Sequence, residues 1–116
     1  MSLRGAKTWV EISRAAMEQN IAALRTFLKP ESTFCAVIKA NAYGCGMREA
    51  ATIAAECGVD TFAVDSIDEA VGLRELLPNA TILILGVTVP ERLNDVVAID
   101  AIQTVYNPET IVEISK

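Results

Sequence analysis

At 116 residues the chain is long enough for one domain with a core of its own. Apolar residues make up 52% and charged residues 22%, a balance that excludes a disordered segment. Fifteen acidic against ten basic side chains leave a net charge of −5 with no basic cluster, which argues against nucleic acid or an anionic membrane surface as a partner.

The opening "TWVEI" reads as a strand. Over residues 13–28, Met17, Ile21, Leu24 and Leu28 recur at helical spacing, with Ser13 as N-cap and Lys29-Pro30 as the stop. "FCAVI" follows as a continuous apolar run, the pattern of a strand covered on both faces. A helix over 47–57 ends at Gly58 and leads into the strand "TFAVD" at 61–65. Ser66-Ile67-Asp68-Glu69 has the form of a capping box, in which serine accepts from a helical N–H and glutamate reaches back. That helix runs to Leu77 and stops at Pro78-Asn79, and "TILILG" at 81–86 is the next core strand. Pro90 suits the first turn of a helix over 90–98, "AIQTV" at 101–105 reads as a further strand, and Asn107-Pro108 opens another helix.

Strands and helices thus alternate with a period of 20–27 residues. Apolar strands alternating with amphipathic helices predict an α/β fold with parallel pairing through right-handed crossovers. An open doubly wound sheet and part of a (β/α) barrel both satisfy this pattern. A complete eight-fold barrel takes about 250 residues, so four units would be half of one. The last helix has barely begun at Lys116, and the sequence reads as cut rather than finished.

The longest apolar runs, such as Thr81–Leu85, are too short to span a membrane. "MSLRGAKTWVE" lacks the apolar core of a signal peptide, which makes the cytoplasm the expected location. There is no histidine, and Cys35, Cys45 and Cys57 form no CxxC pair. A Cys/His zinc site is excluded, no metal is expected, and the thiols read as packing residues.

The stretch "CAVIKANAYGCG" delivers a lysine, Lys39, at the carboxyl end of an apolar strand. Both candidate architectures place their chemistry there. Burial would favour a neutral amine, able to attack an aldehyde and later to accept a proton; a surface lysine that happens to follow a strand is the alternative. Gly44-x-Gly46 could turn backbone N–H groups toward an anion or simply make a tight turn. Tyr43 could offer its hydroxyl to a phosphate or pack within the loop.

The string "AVIKANAYGCG" closely resembles the pyridoxal-phosphate (PLP) attachment motif of alanine racemases, commonly an apolar pair followed by Lys-Ala-Asn-Ala-Tyr-Gly-His-Gly. "TWVEIS", "NIAALR", "FAVDSIDEAVGLRE" and "ILILG" fall in that family's order and at about its spacing. The resemblance covers residues 1–116 but only about the first third of a full-length member. It implies the first four strand–helix units of a TIM-type barrel, with residues 1–12 forming a strand that joins a C-terminal β domain.

The resemblance also implies a site. Lys39 matches the Schiff-base lysine, which doubles as one of two acid/base groups, and Tyr43 matches the tyrosine directed toward the cofactor phosphate. Val37 and Leu85 match apolar positions lining the cofactor. The implied substrate is alanine, interconverted between its L and D forms for cell-wall precursors, and the implied assembly is a homodimer whose partner subunit supplies the opposite-face tyrosine. Cys45 departs from the family's histidine, so the support that an imidazole gives is missing. The second acid/base group falls beyond residue 116, so the chain alone is expected to be inactive. A serine or broad-specificity racemase shares this lysine motif. Proteins that bind or store PLP without turnover usually lack the Ala-Asn-Ala-Tyr-Gly run.

Overall fold

A computed structural model describes residues 5–116 of the chain. The elements run α1 (Arg14–Arg25), β1 (Cys35–Val37), α2 (Lys39–Tyr43), α3 (Met47–Glu56), β2 (Thr61–Val64), α4 (Ile67–Leu76), β3 (Thr81–Ile84), a 3-10 turn (Pro90–Arg92), α5 (Leu93–Ala98), β4 (Ile102–Gln103) and α6 (Pro108–Ile114). The strands form one sheet in the order β1-β2-β3-β4, every neighbouring pair parallel. Sequential order without reversal is what a barrel wall requires, and it decides between the two architectures in favour of the barrel.

Register divides the sheet into two faces. Ala36, Phe62 and Ile82 share a row, as do Val64, Ile84 and Gln103. Phe62, Val64, Ile82 and Ile84 are fully buried and pack with Ile21 of α1, Ala50, Ala51 and Ala54 of α3, Ala70 and Leu73 of α4, and Val96 of α5. Alanine dominates the contacts of α3 because a small side chain lets the helix lie close to the strands. The opposite face carries the row Val37, Ala63, Leu83, Ile102. Val37 and Ile102 are 43% and 54% exposed.

That asymmetry corrects the expectation that "FCAVI" is covered on both faces. Ile38 is buried on the helix side, whereas Cys35 and Val37 are exposed because no described element lies against their face. The opening strand is also not formed. Trp9–Ile12 makes no ladder, since a strand needs a neighbour and none of the described residues lies alongside; residues 1–4 are outside the described region. Trp9 and Val10 are accordingly exposed.

Helix α1 stops at Arg25 rather than near Leu28, leaving Leu24 and Leu28 partly in solvent. Beyond Arg25 the bonds shorten to three residues, Phe27 and Leu28 N–H donating to Leu24 and Arg25, and the Thr26 hydroxyl donates to the Ala23 carbonyl. Arg25 donates to the carbonyls of Cys57 and Gly58 at 2.7 and 2.8 Å, closing the carboxyl terminus of α3, and its guanidinium lies 5.8 Å over the Phe34 ring. At the other end of α1, Arg14 pairs with Glu56, and this contact raises the guanidinium pKa. No helix among the described residues is long and apolar enough to cross a membrane.

Candidate functional site

Period-two alternation carries the inner row Val37, Ala63, Leu83, Ile102 forward to Asp65, Leu85 and Thr104 at the carboxyl ends of β2, β3 and β4. The backbone continues the register that far: Ile38 N–H donates to Ala63 at 2.9 Å, Leu85 N–H to Val64 at 2.8 Å, and Thr104 N–H to Ile84 at 3.0 Å. Of the four predicted site residues, Val37 lies in this row and Leu85 two residues beyond Leu83, while at Ile38 the backbone leaves the extended conformation (ψ 21°) before Lys39. Lys39 Nζ lies 3.8 Å from Asp65 Oδ1, with 38% of the lysine side chain exposed. The expected burial of Lys39 is not found, for the same reason that Val37 is open.

After Lys39 the chain does something the sequence reading missed. Ala40, Asn41, Ala42 and Tyr43 all have φ between 51° and 54°, so α2 is a left-handed helical turn. For L-residues this conformation costs about 1–2 kcal/mol each, with asparagine the most tolerant. Ala42 N–H donates to Ile38 at 2.8 Å and Gly46 N–H to Asn41 at 2.9 Å, which close the turn onto the strand and onto the next helix. Gly44 follows at φ 89° and Gly46 at φ 96°, positions that favour glycine. Tyr43 ends the turn with 65% of its surface exposed.

Several donors of this loop are engaged within it. Gly44 donates to Ala40 and Asn41, Cys45 to Ala42, and Met47, the first residue of α3, to the Asn41 side chain at 2.9 Å. Asn41 Oδ1 thus caps α3 from outside the helix. The Gly44 and Gly46 N–H groups serve the turn rather than face outward as an anion cradle.

Two carboxylates complete the geometry. Asp65 sits against Gly86, where a Cβ would come 2.5 Å from the Asp65 carbonyl oxygen. Only glycine lets the ends of β2 and β3 approach so closely, and Gly86 N–H donates to that same carbonyl at 2.9 Å. Ser66 caps α4 as read, accepting from Glu69 N–H at 3.2 Å. The glutamate, however, does not return to Ser66. Its Oε2 accepts from Asp65 N–H at 2.9 Å and its Oε1 from Ala40 N–H at 2.7 Å. The sequence marked Glu69 only as a capping-box residue and did not mark Asp65, although Asp65 closes "TFAVD" where Lys39 closes the preceding strand.

Farther along the strand ends, Gln103 donates to the carbonyls of Gly86 and Thr104 at 2.8 and 2.9 Å and accepts from the Thr88 hydroxyl at 2.6 Å. This network fixes the loop that follows Leu85. Of the three thiols, Cys45 and Cys35 are exposed and Cys57 is half-buried, and partial burial pushes the Cys35 thiol up. No cluster of three metal-ligating side chains occurs among the described residues.

Comparison with known proteins gives this geometry its setting. The chain is 40% identical over 99 residues to an amino-acid racemase of Enterococcus faecalis, a match covering 85% of this chain and 14% of that protein. It is 34% identical over 106 residues to a serine/alanine racemase of Enterococcus gallinarum, covering 91% of this chain and 15% of that one. The solved alanine racemase of Clostridium difficile 630 superposes with a TM-score of 0.89 at 33% identity, covering 96% of this chain and 30% of that structure. The chain thus spans under a third of the length of these relatives, and the four parallel strands correspond to the N-terminal part of their barrel. The pattern described as "Alanine racemase, N-terminal domain" matches residues 12–116, and with the lysine-ended first strand in place the chain belongs to that family.

Proposed function

We propose that this chain is the lysine-bearing barrel segment of a PLP-dependent racemase that interconverts L- and D-alanine. One observation carries the reading. Lys39 stands at the carboxyl end of β1, just before a left-handed turn, with its amine 3.8 Å from Asp65 at the end of β2.

The residues fit PLP. A primary amine suits an aldehyde, Val37 and Leu85 offer apolar surface for a flat ring, and Tyr43 presents a free-standing hydroxyl donor for a phosphate. When bound, PLP supplies an aldehyde for the lysine and an electron-withdrawing ring that makes the substrate α-proton removable. Lys39 would hold the cofactor, and its amine, when free, would take or return the proton at the α-carbon from its own side. Asp65, 3.8 Å from Nζ, keeps the amine directed along the strand ends while it waits. Racemisation needs a second acid/base group on the opposite side, because one base alone returns the proton to the face it left. The tyrosine of a partner subunit in a homodimer fills that role in this reading, so the 116-residue chain binds PLP without turnover. The expected setting is cytoplasmic D-alanine synthesis for cell-wall precursors.

Serine is the second substrate reading, favoured by the serine/alanine racemase among the relatives.

The test is visible absorbance on adding PLP to the purified chain and to Lys39→Ala. A band that borohydride fixes in the wild type and that the variant lacks is expected. Identical spectra for the two proteins would defeat the assignment of Lys39, and alanine racemisation by the chain alone would defeat the need for a second subunit.

A further inference from the structure

Glu69 has the form of a capping-box residue, but its bonds lie elsewhere. In a capping box the carboxylate returns to the N–H of the cap residue, here Ser66. Instead the Glu69 carboxylate bridges two strand ends. One oxygen takes the N–H of Asp65, at the end of β2, and the other takes the N–H of Ala40, the first left-handed residue after Lys39. The two amides belong to residues at or next to the Lys39–Asp65 pair.

We propose that Glu69 is a positioning residue of the lysine site, clamping the entry of the left-handed turn to the end of β2 so that the Lys39 amine is held in place beside Asp65. The inference rests on the reading of Lys39 as the PLP lysine for its functional consequence, and on hydrogen-bond geometry alone for its structural one. The clamp has a firm base. Ala70 and Leu73, on the same helix, are fully buried, and Glu69 N–H is itself fixed by the Ser66 hydroxyl. A carboxylate in the first turn of α4 is also favoured by the helix dipole. On the far side, Ala40 N–H makes no backbone hydrogen bond among the described residues, so without Glu69 this amide at the start of a strained turn has water as its acceptor. Both bonds are to a charged acceptor and are short, the stronger class of hydrogen bond.

Side-chain length matters. Aspartate is one methylene shorter and cannot span both amides, whereas glutamine keeps the reach but presents an N–H₂ group to one of the two N–H donors. Glu69→Gln therefore retains one bond, and Glu69→Ala neither.

The experiment uses the full 116-residue chain and two readouts. Amide hydrogen exchange, without cofactor, should accelerate at Ala40 and Asp65 by roughly tenfold or more in Glu69→Ala and by less in Glu69→Gln. Exchange at the core amides of Phe62 and Ile82 should stay unchanged, which a general loss of structure would not allow. With PLP added, the rate at which the Lys39-dependent band appears should fall in the order wild type, Glu69→Gln, Glu69→Ala. Unaltered exchange at Ala40 in Glu69→Ala would overturn the clamp, and so would an unaltered rate of band formation. If Glu69→Ala fails to fold, the isosteric Glu69→Gln decides by the same two readouts. If the wild type gives no Lys39-dependent band, the cofactor reading falls while the exchange measurement still judges the clamp.

Discussion

Alanine to glycine normally weakens a helix, and the left-handed turn predicts one place in this chain where it does the reverse. Ala40 is exposed and held at φ 51°, ψ 51°. Relieving the clash of its Cβ with the following carbonyl should return about 1–2 kcal/mol. Glycine's extra freedom in the unfolded chain takes back about 0.5–1 kcal/mol. The Ala40 N–H bond to Glu69 and the neighbouring backbone bonds do not involve the methyl group, so the net is a gain of about 0.5–1 kcal/mol. Ala22 is the control, an exposed alanine in the middle of right-handed α1. There the same substitution should lose about 1 kcal/mol. Urea unfolding followed by circular dichroism measures both, with the midpoint rising for Ala40→Gly and falling for Ala22→Gly at a common slope. A fall for Ala40→Gly as large as that for Ala22→Gly would refute the left-handed assignment.

Two further glycines separate in the same way. Gly72 lies within right-handed α4, where an added Cβ would meet only Met47 Cε at an ordinary 3.7 Å, so Gly72→Ala should raise the urea midpoint by about 0.5–1 kcal/mol of stability. At Gly86 the Cβ would strike the Asp65 carbonyl, and Gly86→Ala should cost about 1–3 kcal/mol in the same assay while moving the Asp65 and Leu85 amide resonances. Arg74 donates to the carbonyls of Ile99, Pro78, Ala80 and Asp100 at 2.7–3.0 Å, tying the loops before β3 and β4 together on the side of the sheet away from Lys39. Arg74→Ala should lower stability by about 2–4 kcal/mol without changing the rate of PLP capture in the folded fraction, and Arg74→Lys should recover only a minor part, because a point-like ammonium cannot reach both loops.

Much of the architecture was legible because the chain punctuates its helices with side chains that bond as their chemistry predicts. Ser13, Ser66 and Asn107 were read as caps, and each accepts from the expected helical N–H, from Ala16, Glu69 and Thr110. Pro90 opens a 3-10 turn before α5, and the strands lie inside the predicted runs but are shorter, β4 reduced to Ile102–Gln103. Strand ends are set by neighbours rather than by composition, so "AIQTV" could not declare how much of it would pair. Lys39 drew attention as a lysine ending an apolar strand, with a surface lysine as the alternative, and its proposed role came from the resemblance carried by "AVIKANAYGCG". The conformation that follows was not legible. Alanine is the best right-handed helix former, and its appearance twice in "KANAY" hid a left-handed turn. The Glu69 bond to Ala40 joins residues 29 positions apart and has no local signature at all.

The left-handed turn is better understood from what surrounds it than from its own sequence. Four left-handed residues in succession are stable only where neighbours fix them at both ends. At the start, Ile38 is buried and bonded into β2, and Ala40 is bonded to Glu69. In the middle, Ala42 is buried, so its methyl group is packed as well as strained. At the end, the Asn41 carbonyl and side chain receive Gly46 and Met47, which makes the turn part of the start of α3. The backbone of Lys39 therefore sits between a strand, a helix and a carboxylate clamp, and the remaining freedom of this residue is in its own side chain. That division suits the role proposed for Lys39, a fixed backbone with an amine free to move. A right-handed turn at the same place would leave Asn41 unable to cap α3 and Ala40 turned from Glu69, and the loop that follows Lys39 would lose two of the bonds that hold it.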